Sequence, residues 1–88
     1  QNLSIAHNNY GKFLAERTDY DKALKEFRAA IYLDKENKMA DSNLDGLLTQ
    51  RGIKADNPQV RMQLAEKLRA DANFEAALVE YEKAFSLS

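Results

Sequence analysis

Apolar residues in this chain recur every three or four positions almost from end to end, and two-residue alternation is nearly absent. A strand that shows one face to a core needs a period of two and a helix a period of about 3.6, so the pattern admits helices only. The spacing predicts an all-α chain of five helices, at about 4–16, 20–33, 39–51, 58–70 and 74–87. The first carries a stripe of Ala6, Tyr10, Phe13 and Leu14, the second Tyr20, Ala23, Leu24, Phe27, Ala30 and Ile31. The third offers Ala40, Leu44, Leu47 and Leu48, the fourth Val60, Leu64, Ala65 and Leu68, and the fifth Phe74, Ala77, Leu78, Tyr81, Ala84 and Phe85.

The breaks between these stripes carry helix-end chemistry. Thr18 or Asp19 can accept hydrogen bonds from the free amides of the second helix, and Asn73 can do so for the fifth. Gly52 stands where a left-handed helix-ending residue belongs. Asn57 followed by Pro58 marks a start, because proline lacks the amide that a first helical position leaves unbonded and its φ is already helical. Gly46, inside the third segment, costs about 1 kcal/mol relative to alanine.

Five short helices in 88 residues make one small domain, 1–88, with 44% hydrophobic and 31% charged residues, a composition that folds rather than staying disordered. Thirteen basic residues are dispersed among 14 acidic ones, which leaves no footprint for nucleic acid. The absence of cysteine excludes disulfides and thiolate metal sites. No run approaches the ~18 apolar residues of a membrane span, so no membrane insertion is expected. The opening QNLSIAHNNY has neither an initiating Met nor the form of a signal peptide, as expected of a piece of a longer or processed chain.

Laying the end of the chain on its beginning with an offset of 54 makes the same chemistry recur. Tyr10 falls on Leu64, Gly11 on Ala65, Leu14 on Leu68, Tyr20 on Phe74, Ala23 on Ala77, Phe27 on Tyr81 and Ala30 on Ala84. Small residues recur where backbones must approach, and bulky ones where two helices wedge apart. In this spaced set the chain resembles the tetratricopeptide repeat family. NNYGKFLAERTDYDKALKEFRAAIYLD and RMQLAEKLRADANFEAALVEYEKAFSL each match its large–small pair, later leucine, aromatic, tight-crossing alanine, bulky residue and final alanine. His7 and Arg61 depart from it by standing where the family often has Trp, and Lys35 by standing where a proline commonly closes the unit.

That family repeats every 34 residues. The offset of 54 exceeds this by 20, so the chain reads as a repeat at 4–37, an incomplete unit at 38–57 and a repeat at 58–88, short by about one helix. The third helix fits as the first helix of a unit through Leu44 and Leu48, with Asp45 where a small residue is wanted. It also fits as a second helix through Leu47 and Ile53, with Asn43 and Gln50 replacing alanines. The first reading is preferred. An unpaired helix also inverts the final pair unless residues 52–57 climb back along it, so a homodimer or swapped pair completing that helix is one expectation.

No catalytic constellation is present. His7 is the only histidine and reads as a partly buried spacer; no nitrogen or sulfur ligand lies near it in sequence, so no metal or cofactor is expected. Glu80 with Glu82, and Asp19 with Asp21, read as solvated charges or helix-end charges. Tyr10, Tyr20 and Tyr81 read as core aromatics.

The resemblance implies a non-enzymatic module that holds a peptide or a helix of a partner protein in a groove lined by first helices. The groove side would show Asn8, Asn9, Lys12 and Glu16, then Ser42, Asn43 and Gln50, then Gln63, Glu66 and Arg69. Asn9, Asn43 and Gln63 fall at corresponding places, and side-chain amides both donate to and accept from a peptide backbone. Self-association through the unpaired helix is the alternative.

Overall fold

The structure, a computed structural model, describes residues 2–88. Five α-helices and no strand occur among them: α1 Asn2–Glu16, α2 Tyr20–Leu33, α3 Lys38–Gln50, α4 Pro58–Ala70 and α5 Phe74–Leu87. The segments match the apolar spacing, α1 starting at Asn2 rather than position 4 and α3 lying one residue earlier than expected.

Three helices end in the same way. Thr18 (φ 62°), Gly52 (φ 81°) and Ala72 (φ 62°) adopt the left-handed region. The next amide in each case closes back on the helix: Asp19 N–H to Leu14 O at 2.9 Å, Ile53 N–H to Leu48 O at 2.9 Å and Asn73 N–H to Leu68 O at 2.8 Å. Gly52 lies 34 positions after Thr18, and Ala72 lies 54 after it. By its closure, therefore, α3 has the same character as α1 and α4. At the starts, Asn57 accepts from the amides of Gln59 and Val60 ahead of Pro58, and Asn37 accepts from Ala40 N–H. Asp19 and Asn73 occupy the capping positions but make no side-chain cap bond.

Helices α1 with α2, and α4 with α5, form tight hairpins. Gly11 explains the first: a Cβ there would lie 2.6 Å from Cε1 of Phe27, so only glycine lets the two backbones meet across that ring. Helix α3 lies on α2 and touches α1, and α5 also lies on α2, while the α4 backbone approaches α5 alone. Helix α2 is thus the axis of the molecule. Its Ala23, Leu24 and Phe27 form one core with Leu14, Leu44, Leu47, Leu48, Ala55 and Val79.

Two stripes expected inside are on the surface. Ala6, Tyr10 and Phe13 are exposed, and α1 buries Leu14, the one member of its expected stripe that lies inside, together with Ser4, Asn8 and Gly11. Phe74, Leu78 and Phe85 are exposed, Phe85 by 84%, and α5 buries Val79 and Glu80 beside Ala77 and Ala84. The physical reason is the same at both ends. Each hairpin closes through small residues, which leaves its bulky stripe for a further helix; α3 supplies one to α2, and no described helix covers the exposed stripes of α1 and α5.

Candidate functional site

The offset of 54 brings an ion-pair position along with the apolar ones. His7 Nδ1 donates to Glu26 Oε1 at 2.6 Å across the first hairpin. Arg61, 54 positions after His7, donates through Nε to Oε1 of Glu80, 54 positions after Glu26, also at 2.6 Å. His7 and Arg61 thus perform one task, clasping a glutamate on the opposite helix of their hairpin. His7 is partly buried, as its place suggested.

The second clasp has grown into a network. Glu80 is fully buried, which corrects its reading as a solvated charge, because Arg28 on α2 also donates Nε to its second oxygen at 2.8 Å. Arg61, equally buried, sends Nη1 to Asp45 at 2.9 Å and to the Ala55 carbonyl at 2.7 Å. Lys83 reaches Asp41 at 2.7 Å and Asp45 at 3.4 Å. Four helices, α2 to α5, are tied by these charges. The guanidinium of Arg61 is pushed down by burial and up by Glu80 and Asp45, and the carboxylates prevail, so its pKa is raised and it stays charged. Its Nη2 is a buried donor with no partner among the described residues. Asp45, out of place for a close helix crossing, is the anion that this arginine requires.

Between α1 and α3 runs a shallow cleft of about 400 Å³. Lys12, Glu16, Asn43 and Gln50 line it with Ser42, over a floor that includes Ala15, Phe27 and Leu47; Gly46 leaves its lip without a side chain. Five of the ten groove candidates therefore meet in one place. Asn9 is exposed on α1 but outside the lining. Gln63 is exposed on α4 and lies away from the cleft, because the α4 backbone packs on α5 alone. Asn43 donates Nδ2 to Oδ1 of Asn8 at 2.9 Å, and Asn8 is buried rather than groove-facing. Glu66 and Arg69 pair with each other at 3.0 Å, and the Tyr81 hydroxyl donates to Glu66 at 2.9 Å. That hydroxyl, and then Arg69, hold the Glu66 carboxyl below the usual carboxylate range.

No group of three or more metal-ligating side chains occurs among the described residues, and no helix among them is long and apolar enough to cross a membrane. Comparison with protein-family models, with curated proteins and with solved structures finds no match to this chain.

Proposed function

We propose that this chain is a non-catalytic interaction module of tetratricopeptide-like character that holds an extended segment of a partner protein in the α1–α3 cleft. The observation that carries the reading is the convergence of Lys12, Glu16, Asn43 and Gln50 over an apolar floor. Side chains of both charges and two amides suit a peptide backbone with mixed polar side chains, and the part-exposed Ala15 with the edge of Leu47 beneath them suits one small apolar anchor. Asn43 contributes its remaining amide valences, since one N–H is held by Asn8.

Selection of random peptides on the immobilised chain, followed by amide-shift mapping of the best binder, tests this. Shifts are expected at Lys12, Glu16, Ser42 and Gln50, and Lys12→Ala with Gln50→Ala should weaken the binder at least about tenfold, or 1.4 kcal/mol. Binders that map elsewhere, or that ignore both substitutions, would refute the cleft. Asn43→Ala is unsuitable for this purpose because it also strips the buried Asn8 of its donor.

A further inference from the structure

The two exposed apolar stripes fit each other by the chain's own internal template. Residues of α1 correspond to residues of α3 at an offset of 34: Ala6 to Ala40, Tyr10 to Leu44, Phe13 to Leu47, Leu14 to Leu48 and Arg17 to Arg51. Residues of α5 correspond to residues of α2 at the offset of 54: Phe74 to Tyr20, Glu75 to Asp21, Leu78 to Leu24, Tyr81 to Phe27 and Phe85 to Ile31. In the structure α3 is seated on α2, with Leu44, Leu47 and Leu48 in one core with Leu24 and Phe27. The α1 stripe is therefore in the register of a helix that docks, and the α5 stripe in the register of a helix that receives one. Both are open: Tyr10 is 50% exposed, Phe13 46%, Phe74 65% and Leu78 44%.

We infer that α1 of one copy of this chain docks on the α4–α5 face of a second copy as α3 docks on α2, in a head-to-tail contact. Charge supports this occupant over an arbitrary apolar helix. Arg51 lies over the Tyr20 ring, 5.3 Å from its centroid, and 3.5 Å from Asp21. Carried through the two offsets, that arrangement becomes Arg17 of one copy over Phe74 and beside Glu75 of the other, with cation, ring and carboxylate all conserved in kind. Arg17 now lies over its own Phe13 at 4.5 Å, on the stripe that would be covered. The contact joins two different faces, so it adds copies in sequence instead of closing a symmetric pair.

Sedimentation equilibrium of the whole chain tests the inference over about 10 µM to about 1 mM, the range of an interface of a few helical turns. The mass average is expected to rise with concentration without levelling at twice the monomer. Tyr10→Asp blocks the docking face and Leu78→Asp the receiving face; both positions are solvent-exposed, and circular dichroism checks that each variant is folded. Each variant alone should be monomeric, and their mixture should give a one-to-one heterodimer that grows no further, because each supplies the face the other lacks. A chain that stays monomeric throughout overturns the inference and leaves these faces to helices of another protein. Variants that still self-associate, or a mixture that does not pair, overturn it too. Tyr10 and Leu78 lie outside the α1–α3 cleft lining, so neither result touches the peptide-binding reading.

Discussion

Replacing Glu80 by Gln removes one negative charge and almost no volume from the centre of the molecule. Two guanidiniums, Arg28 at 2.8 Å and Arg61 at 2.6 Å, then share a neutral amide where they had a carboxylate. The side chains of Glu80 and Arg61 have no solvent exposure and that of Arg28 has 8%, so water cannot take over. Removing one partner from such a buried set costs about 3–5 kcal/mol. A domain of 88 residues holds about 4–13 kcal/mol in total, so the loss is at least about a quarter of the whole stability. The first hairpin supplies an internal control. Glu26→Gln alters the equivalent clasp, but His7 is 37% exposed and Glu26 17%, and the loss should be about 1 kcal/mol or less. Urea unfolding of both variants reads the contrast: with a slope of about 1–1.5 kcal/mol per molar, Glu80→Gln should lower the midpoint by at least about 2 M and Glu26→Gln by under 1 M. Equal losses, or a loss below about 1 kcal/mol for Glu80→Gln, would refute the claim that burial and the second arginine make the two clasps unlike.

Gly11→Ala should destabilise by about 1–3 kcal/mol, because the added methyl would meet the buried Phe27 ring at 2.6 Å, whereas Gly46→Ala, with nothing within 4 Å, should stabilise by up to about 1 kcal/mol in the same urea assay. Thr18→Gly and Ala72→Gly relieve left-handed backbone at φ 62° and should each raise stability by about 0.5–1 kcal/mol, while Gly52→Ala at φ 81° should lower it by about 1 kcal/mol, read by calorimetry. Tyr81→Phe removes the first cause that depresses the Glu66 carboxyl, so a carbon-detected NMR titration should show that carboxyl titrating at higher pH than in the wild type. Since the folded carboxyl lies below its unfolded counterpart, its small contribution is present above the unfolded pKa and lost as pH falls through the folded one; the variant should lose part of this acid-side dependence and keep the part that Arg69 supplies.

The helices and the α2–α3 core were legible in the sequence because both are local or short-range in their logic. Ala40, Leu44, Leu47 and Leu48 all lie inside as their spacing requires, and Gly52 and Asn57 end and begin helices by chemistry confined to a few residues. The stripes of α1 and α5 read as core because periodicity identifies a face that is to be covered, without identifying what covers it. Glu80 was illegible for a different reason: its partners lie 19 and 52 residues away, and no local pattern announces a carboxylate that will meet two arginines. A signal was nevertheless present in the repeat, since Glu26 and Glu80 correspond at the same offset as His7 and Arg61. The cleft was legible at Lys12, Glu16, Asn43 and Gln50, whereas placing Gln63 beside them required α4 to lie along α3, and its backbone approaches α5 alone.

Helix α5 serves two neighbours at once. Through Glu80 it closes its own hairpin with Arg61 and binds Arg28 on α2, and through Lys83 it holds Asp41 and Asp45 on α3. Stacked helical repeats ordinarily touch only the next unit along, so they can lose structure one unit at a time from either end. Here the last helix is fastened to the second, across 52 residues of chain. Fraying of α5 exposes the arginine of α2 and frees the lysine that steadies α3, so partial opening from the C-terminal end brings little relief in entropy for a large loss of contacts. The chain should therefore melt as a single cooperative unit, and its hairpins, quick to form on their own, should have to wait for that long-range docking before either becomes protected from exchange.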